Sequence, residues 1–261
     1  MIPTQALVLS KGKKGETMAE QVLGMPVDAA ALVENLVTED DTPVDNLLSE
    51  KQQRLLTEPL YSSWTPPASA EQPTTPRLFI AAANVGIFSS IYQPPLVPDV
   101  FLSLDVRVAE NLHEKRHRSY FFWEFGKAPE VVIEIVSNTK GNETGSKLRD
   151  YARIRILYYV VYDPTEQLSA QVLQVYELQV GRYQPRTDQY FPHVGLGVTL
   201  WTGSYEGQTG TWLRWCDAQG QVIPTGAERA AREAERAQQA AERAERLVAQ
   251  LRALGVDPEA L

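Results

Sequence analysis

Three side chains that lie far apart in the chain are of the types that together handle a phosphate ester. Asp99 follows Pro98 at the head of the run Val100-Phe101-Leu102, Glu134 interrupts an apolar run from Val131 to Val136, and Lys147 lies beyond a polar, glycine-containing passage. A carboxylate set inside an apolar run is costly unless it meets a cation, a proton or several donors, which makes Glu134 the first candidate for chemistry. Two carboxylates can hold a hard divalent cation such as Mg2+ or Mn2+, which prefers oxygen ligands and keeps several waters; the backbone carbonyl of Ile135 is a natural further ligand. Such an ion acidifies a water and offsets charge developing on a phosphoryl group under attack, and a lysine nearby stabilises the same charge. The set fits metal-dependent phosphodiester hydrolysis. Taken singly, each residue also has a plain structural reading: Asp99 as a strand-end acid, Glu134 as a satisfied buried one, Lys147 as a solvated helix residue.

These residues need a scaffold that brings them together. Val131 to Val136 is apolar on both faces except at Glu134 and reads as a central strand. Ser137 to Gly145 is a loop, a helix follows from about Glu143 or Gly145 to Arg155, and Leu157 to Tyr162 is the next strand, closed by Asp163-Pro164. Strand, loop, helix and strand in that order make an α/β unit wrapped around the candidate site. Asp99 heads a strand expected to run from Val97 to Val108, and Leu78 to Ile91 is one strand or a tight pair. Val44, Leu47, Leu48, Leu55, Leu56 and Leu60 share a helical face, with Asp45 or Ser49 as cap, so residues 44 to 60 form a helix covering one side of the sheet. Antiparallel pieces follow at residues 171–178, from Tyr183, at residues 194–200 and around Gly207 to Gly210. The fold class is α/β, with a mixed or largely antiparallel central sheet flanked by helices.

The 261-residue chain carries a formal charge of -8, and its 43% apolar content is that of a folded body. Residues 1–226 hold 26 acidic and 19 basic side chains, so a polyanion must be met by a local basic patch or by bound cations. The single cysteine, Cys216, excludes an intrachain disulfide and suits a reducing, cytoplasmic setting, with no apolar run long enough to span a membrane. Ala230, Ala234, Ala237, Ala241, Ala244, Val248 and Leu251 recur in alternating steps of four and three, a heptad seam on a helix expected over residues 227–254. Its alanines bury little area, so the seam supports only marginal self-association, with a homodimer as the expected assembly. Residues 1–43 read as a loosely attached leader, and residues 44–222 as the main domain.

The order PDV at residues 98–100, PEVVIEIVS at residues 129–137, Lys147 four residues before Tyr151, and YYVVYDP at residues 158–164 resembles the Uma2 family. That family is placed in the PD-(D/E)XK restriction-nuclease-like superfamily. The resemblance runs from about Leu47 to the tryptophans at 201 and 212, and includes the Glu/Arg/Ala-rich tail. It implies a restriction-endonuclease-like fold and metal-dependent cleavage of DNA. Asp99 takes the place of the aspartate of PD, Glu134 and Ser137 those of the strand motif E-x-x-S, and Lys147 that of a helical lysine replacing the one in E-x-K, since position 136 is Val. An acid on the first helix often accompanies such sites, with Glu50 preferred over Glu58. Arg153 to Leu157 replace a glycine-containing turn common in the family. The alternative is a nuclease fold that has lost catalysis and serves as a binding or scaffold module.

Lys115, Arg116 and Arg118 form the most basic run outside the tail and are candidates for DNA phosphate contacts; the plainer reading is a solvated loop. His113, His117 and His193 are too dispersed for a zinc site. No glycine-rich phosphate loop is present.

Overall fold

The computed structural model describes residues 33, 36, 46–68, 77–137 and 143–253. The expected leader over residues 1–43 lies outside the described residues, apart from Val33 and Leu36.

Helix α1 (Leu47–Ser63) is capped by neither Asp45 nor Ser49: Asn46, between them, is the N-cap, its side-chain oxygen accepting from the Ser49 N–H at 2.9 Å. The helix lies between two sheets. Leu56 and Leu60 are fully buried in the main core with Leu213 and Trp215. Two of its polar side chains finish sheet edges. The Tyr61 hydroxyl accepts from Ala81 N and donates to Ala81 O, and the Gln52 amide pairs with both backbone groups of Leu213. A strand edge covered in this way is closed to further pairing.

The six-stranded main sheet has the order β1 (Phe79–Ala83), β3 (Val100–Leu104), β5 (Val131–Ile135), β6 (Tyr158–Tyr162), β7 (Leu173–Gln179), β8 (Arg182–Pro185). Strands β5 and β6 are parallel and every other pair is antiparallel, so the sheet is mixed. Helix α3 (Leu148–Arg153) lies in the crossover between β5 and β6. All five residues of β3, β5 and β6 are buried, which is why these strands read as unbroken apolar runs rather than alternating ones. Val131, Ile133 and Ile135 face the core shared with α1; Val132 and Val136 face a second core shared with Tyr151 and Ala152 of α3.

Two departures from the expected pattern have local causes. Strand β3 stops at Leu104 rather than Val108, because Asp105 takes a left-handed φ of 57°. The segment after β1 turns at Asn84, φ 55°, and its short strand β2 (Ile87–Phe88) pairs in parallel with β4 (Tyr120–Phe121), not with β1. A one-turn helix, α2 (Phe122–Phe125), follows directly.

A three-stranded sheet of β9 (Tyr190–Phe191), β10 (Leu196–Tyr205) and β11 (Gln208–Cys216) packs on the α1 side. The β10–β11 hairpin turns on Glu206 and Gly207, both at positive φ, as a two-residue loop requires. Glu206 is held by Lys51 and Arg54 of α1, each at 2.6 Å. Helix α4 (Gly226–Ala253) then leaves the body with no buried residue along its length. Its root is fixed by Arg214, which is buried, pairs with Glu228 at 2.7 Å and lies over the Trp201 ring. No described helix is long and apolar enough to cross a membrane. The architecture is the mixed α/β, restriction-endonuclease-like fold with a C-terminal helix that the resemblance implies.

Candidate active site

The antiparallel register of β3 and β5 pairs Val100 with Ile133. One step beyond that pair, Asp99 comes opposite Glu134, and by alternation both side chains leave the sheet on the face that carries Phe101 and Val132. The backbone N–H of Ile135 donates to Asp99 Oδ2 at 2.7 Å and locks the junction. Thus two carboxyl groups separated by 35 positions in the chain become neighbours through sheet register alone.

Glu134 is 1% exposed and both of its oxygens have donors. Lys147 Nζ donates to Oε2 at 2.8 Å and the Tyr151 hydroxyl to Oε1 at 2.6 Å. Lys147 ends a wide helical turn (Glu143–Lys147) that runs straight into α3, so Lys147 and Tyr151 stand one turn apart on one face. Burial pushes the Glu134 carboxyl up to about 8; the Lys147 ammonium opposes this shift and the Asp99 charge adds to it. The same burial and the charge of Glu134 push the Tyr151 hydroxyl well above its usual range, so it serves as a donor.

Asp99 is likewise raised by burial, while Ile135 N–H, Gln53 and Lys147 act in the other direction. Gln53 Nε2 donates to Asp99 Oδ1 at 2.8 Å. Its orientation is set by Asn84: the two side-chain amides pair through bonds of 2.8 and 3.2 Å, and the Asn84 N–H donates to the Asp99 carbonyl at 3.2 Å.

The structure therefore brings Asp99, Glu134, Lys147 and the Ile135 backbone together. Glu50 is not among them. It sits on the outer side of α1, paired with Arg54 at 2.5 Å and with 42% of its side chain exposed, and the α1 residue that reaches Asp99 is Gln53, an amide. Lys115, Arg116 and Arg118 lie in the loop before β4. Arg116 pairs with Glu114 at 2.9 Å, and Arg118 donates to the carbonyls of Leu112 and His113. Tyr151, Gln53 and Asn84 are the site residues that sequence reasoning does not single out. The lysine-to-tyrosine spacing of four holds a signal for Tyr151; nothing in the sequence marks Gln53 or Asn84.

Two carboxylates side by side, one buried so deeply that it favours a proton or a cation, are a donor set that a hard divalent ion fits. Each carboxylate oxygen accepts one of the four bonds described above and retains lone-pair capacity. Among the described residues no cluster of three or more His, Cys, Asp or Glu forms, so an ion here would complete its shell with waters, a carbonyl or substrate oxygens.

No curated protein and no solved structure gives a significant match to the chain. A family model described as "putative restriction endonuclease" matches residues 41–195, more than half of the chain, and this stretch contains Gln53, Asn84, Asp99, Glu134, Lys147 and Tyr151. The carboxylate pair, the helical lysine and the mixed sheet that positions them thus belong to a chain that is a member of the Uma2 family.

Proposed function

We propose that the chain is a divalent-metal-dependent endonuclease that hydrolyses phosphodiester bonds of DNA. The observation that carries this reading is the placement of Asp99 and Glu134 opposite each other at the ends of two adjacent strands, with the Lys147 ammonium 2.8 Å from Glu134. Asp99, Glu134 and the Ile135 carbonyl would hold Mg2+ or Mn2+, which supplies Lewis acidity and an acidified water. Lys147 is on hand to stabilise negative charge on the phosphoryl oxygens as they leave the ground state. Tyr151 and Gln53 each fix one carboxylate against rotation, so the two acids stay oriented for a shared ligand. The catalytic domain would span residues 44–222 in a cytoplasmic protein, and the helical seam over residues 227–254 would support weak self-association into a homodimer.

A second reading, a nuclease fold that has lost catalysis and binds or scaffolds, is favoured by one observation. Lys147 already neutralises Glu134, and the described residues supply no third acid. One experiment separates the two. Purified full-length chain is incubated with single-stranded, double-stranded and branched DNA in Mg2+, in Mn2+ and in EDTA. Cutting of at least one substrate with metal, abolished by EDTA and by Glu134→Gln, supports the enzyme; intact DNA in every arm rejects it.

A further inference from the structure

Along the sheet from the carboxylates, a cavity of about 550 Å³ opens between the β1–β3 floor and the loop that follows β3. Its floor includes Ala82 and Phe101, and Phe101 is two residues from Asp99 on the same strand face. At about 3.3 Å per residue that puts the backbone of Phe101 about 7 Å along the strand from that of Asp99. Val85, next to the Asn84 that orients Gln53, also lines it. The cavity and the carboxylates therefore share one surface.

The chemistry of the walls is mixed in a particular way. Half-buried Phe125, which stacks on the buried Tyr120 at 4.5 Å, together with Val85 and the exposed Val108 and Leu112, gives apolar surface. Arg107, Arg116 and Arg118 stand on the loop side with the carboxylates of Asp105 and Glu124, of which Asp105 is paired with Arg77 at 2.7 Å. Arg107 is exposed and has no hydrogen bond or ion pair among the described residues. Apolar walls with guanidinium groups beside them complement a heterocycle attached to phosphates, and burial of an unstacked base against apolar side chains is a source of affinity for single strands.

Resting on the nuclease reading, we infer that this cavity is a nucleotide subsite: it takes one unstacked base of a single-stranded DNA segment, next to the phosphate that lies at Asp99 and Glu134. Arg107 and Arg116 contact the flanking phosphates. A space of this size takes one base with its sugar, and a base enters it only by leaving the stack, so a single strand or a frayed end is the preferred substrate and an intact duplex the poorer one.

The test is binding, measured apart from cleavage. A fluorescein-labelled 12-nucleotide single-stranded DNA and its blunt duplex are titrated with the full chain in EDTA and followed by anisotropy. The wild type binds the single strand more tightly than the duplex. Ala82→Phe, which fills the floor, raises Kd about tenfold, the loss expected for one stacked base. Arg107→Ala weakens binding to any sequence and lowers the salt dependence by about one ion. Leu112→Asp on the exposed rim raises Kd as well, and because Leu112 is 52% exposed this variant tests the subsite even where Ala82→Phe does not fold. Unchanged affinity in Leu112→Asp and in folded Ala82→Phe, or tighter binding of the duplex, overturns the subsite even where cleavage is observed. Loss of affinity in these variants supports the subsite even where the chain cuts nothing.

Discussion

Lys147 reaches back from the turn before α3 to donate to Glu134 at 2.8 Å, one helical turn before Tyr151 donates to the other oxygen of the same carboxylate. A lysine arriving from a helix thus stands where the usual strand lysine is missing, since position 136 is a valine buried in the second core. Lys147→Met keeps the aliphatic stem and removes the charge. We expect it to lower the cleavage rate by about a hundredfold or more, the scale of losing one charge-stabilising donor. A folded, metal-binding variant that cuts at the wild-type rate would assign Lys147 a structural role only.

The deep burial of Glu134 gives the metal-free protein a distinct pH dependence. Its carboxyl is raised to about 8 in the fold against 4.5 when solvated, so the folded state binds more protons than the unfolded state between those values. Stability is then highest at the acid end of that window and falls as pH rises through it. Glu134→Gln, which cannot ionise, flattens the curve and raises Tm at pH 8 by several degrees in EDTA. Thermal melts from pH 5 to 8.5 check this, and a wild type whose Tm climbs toward pH 8 would contradict it.

Gln53 and Glu50 lie one turn apart on α1 and differ sharply in what they touch. Gln53→Ala removes the donor to Asp99 and should weaken Mn2+ binding about tenfold to a hundredfold, as loss of a residue supporting a metal ligand does. Glu50→Ala removes only an exposed pair with Arg54 and should change binding less than about twofold. Calorimetric titration of both variants with Mn2+ tells them apart.

Arg155 occupies the position where the family commonly has a glycine-containing turn, and it holds a left-handed φ of 64°. A side chain in that region costs about 1 kcal/mol or more, a cost that glycine avoids. Arg155→Gly should therefore raise stability by about 1 kcal/mol in a denaturant melt with no loss of cleavage. A destabilised variant would show that the arginine side chain contributes contacts that outweigh its strained backbone.

What the sequence reveals follows how local each feature is. Glu134 is conspicuous because every neighbour in β5 is apolar, and the heptad steps of α4 need no tertiary information. The Asp99–Glu134 pairing is foreseeable once both strands are recognised. The end of β3 is not, because the left-handed turn at Asp105 leaves no mark beyond an ordinary acidic residue. Gln53 reaches Asp99 across 46 positions and only through the packing angle of α1, so helical spacing offers Glu50 as readily. The root of α4 is a different case: Thr225 and Glu228 exchange backbone bonds as a capping box, a pattern visible in the sequence three residues apart.

Whether Asp99 and Glu134 form one cation-binding centre is decided by calorimetric titration of the purified chain with Mn2+. One ion per chain is expected in the wild type, with binding abolished or weakened beyond detection in Asp99→Asn and Glu134→Gln while both variants retain the wild-type circular dichroism spectrum. No heat of binding in the wild type, or an unchanged isotherm in Glu134→Gln, would contradict it.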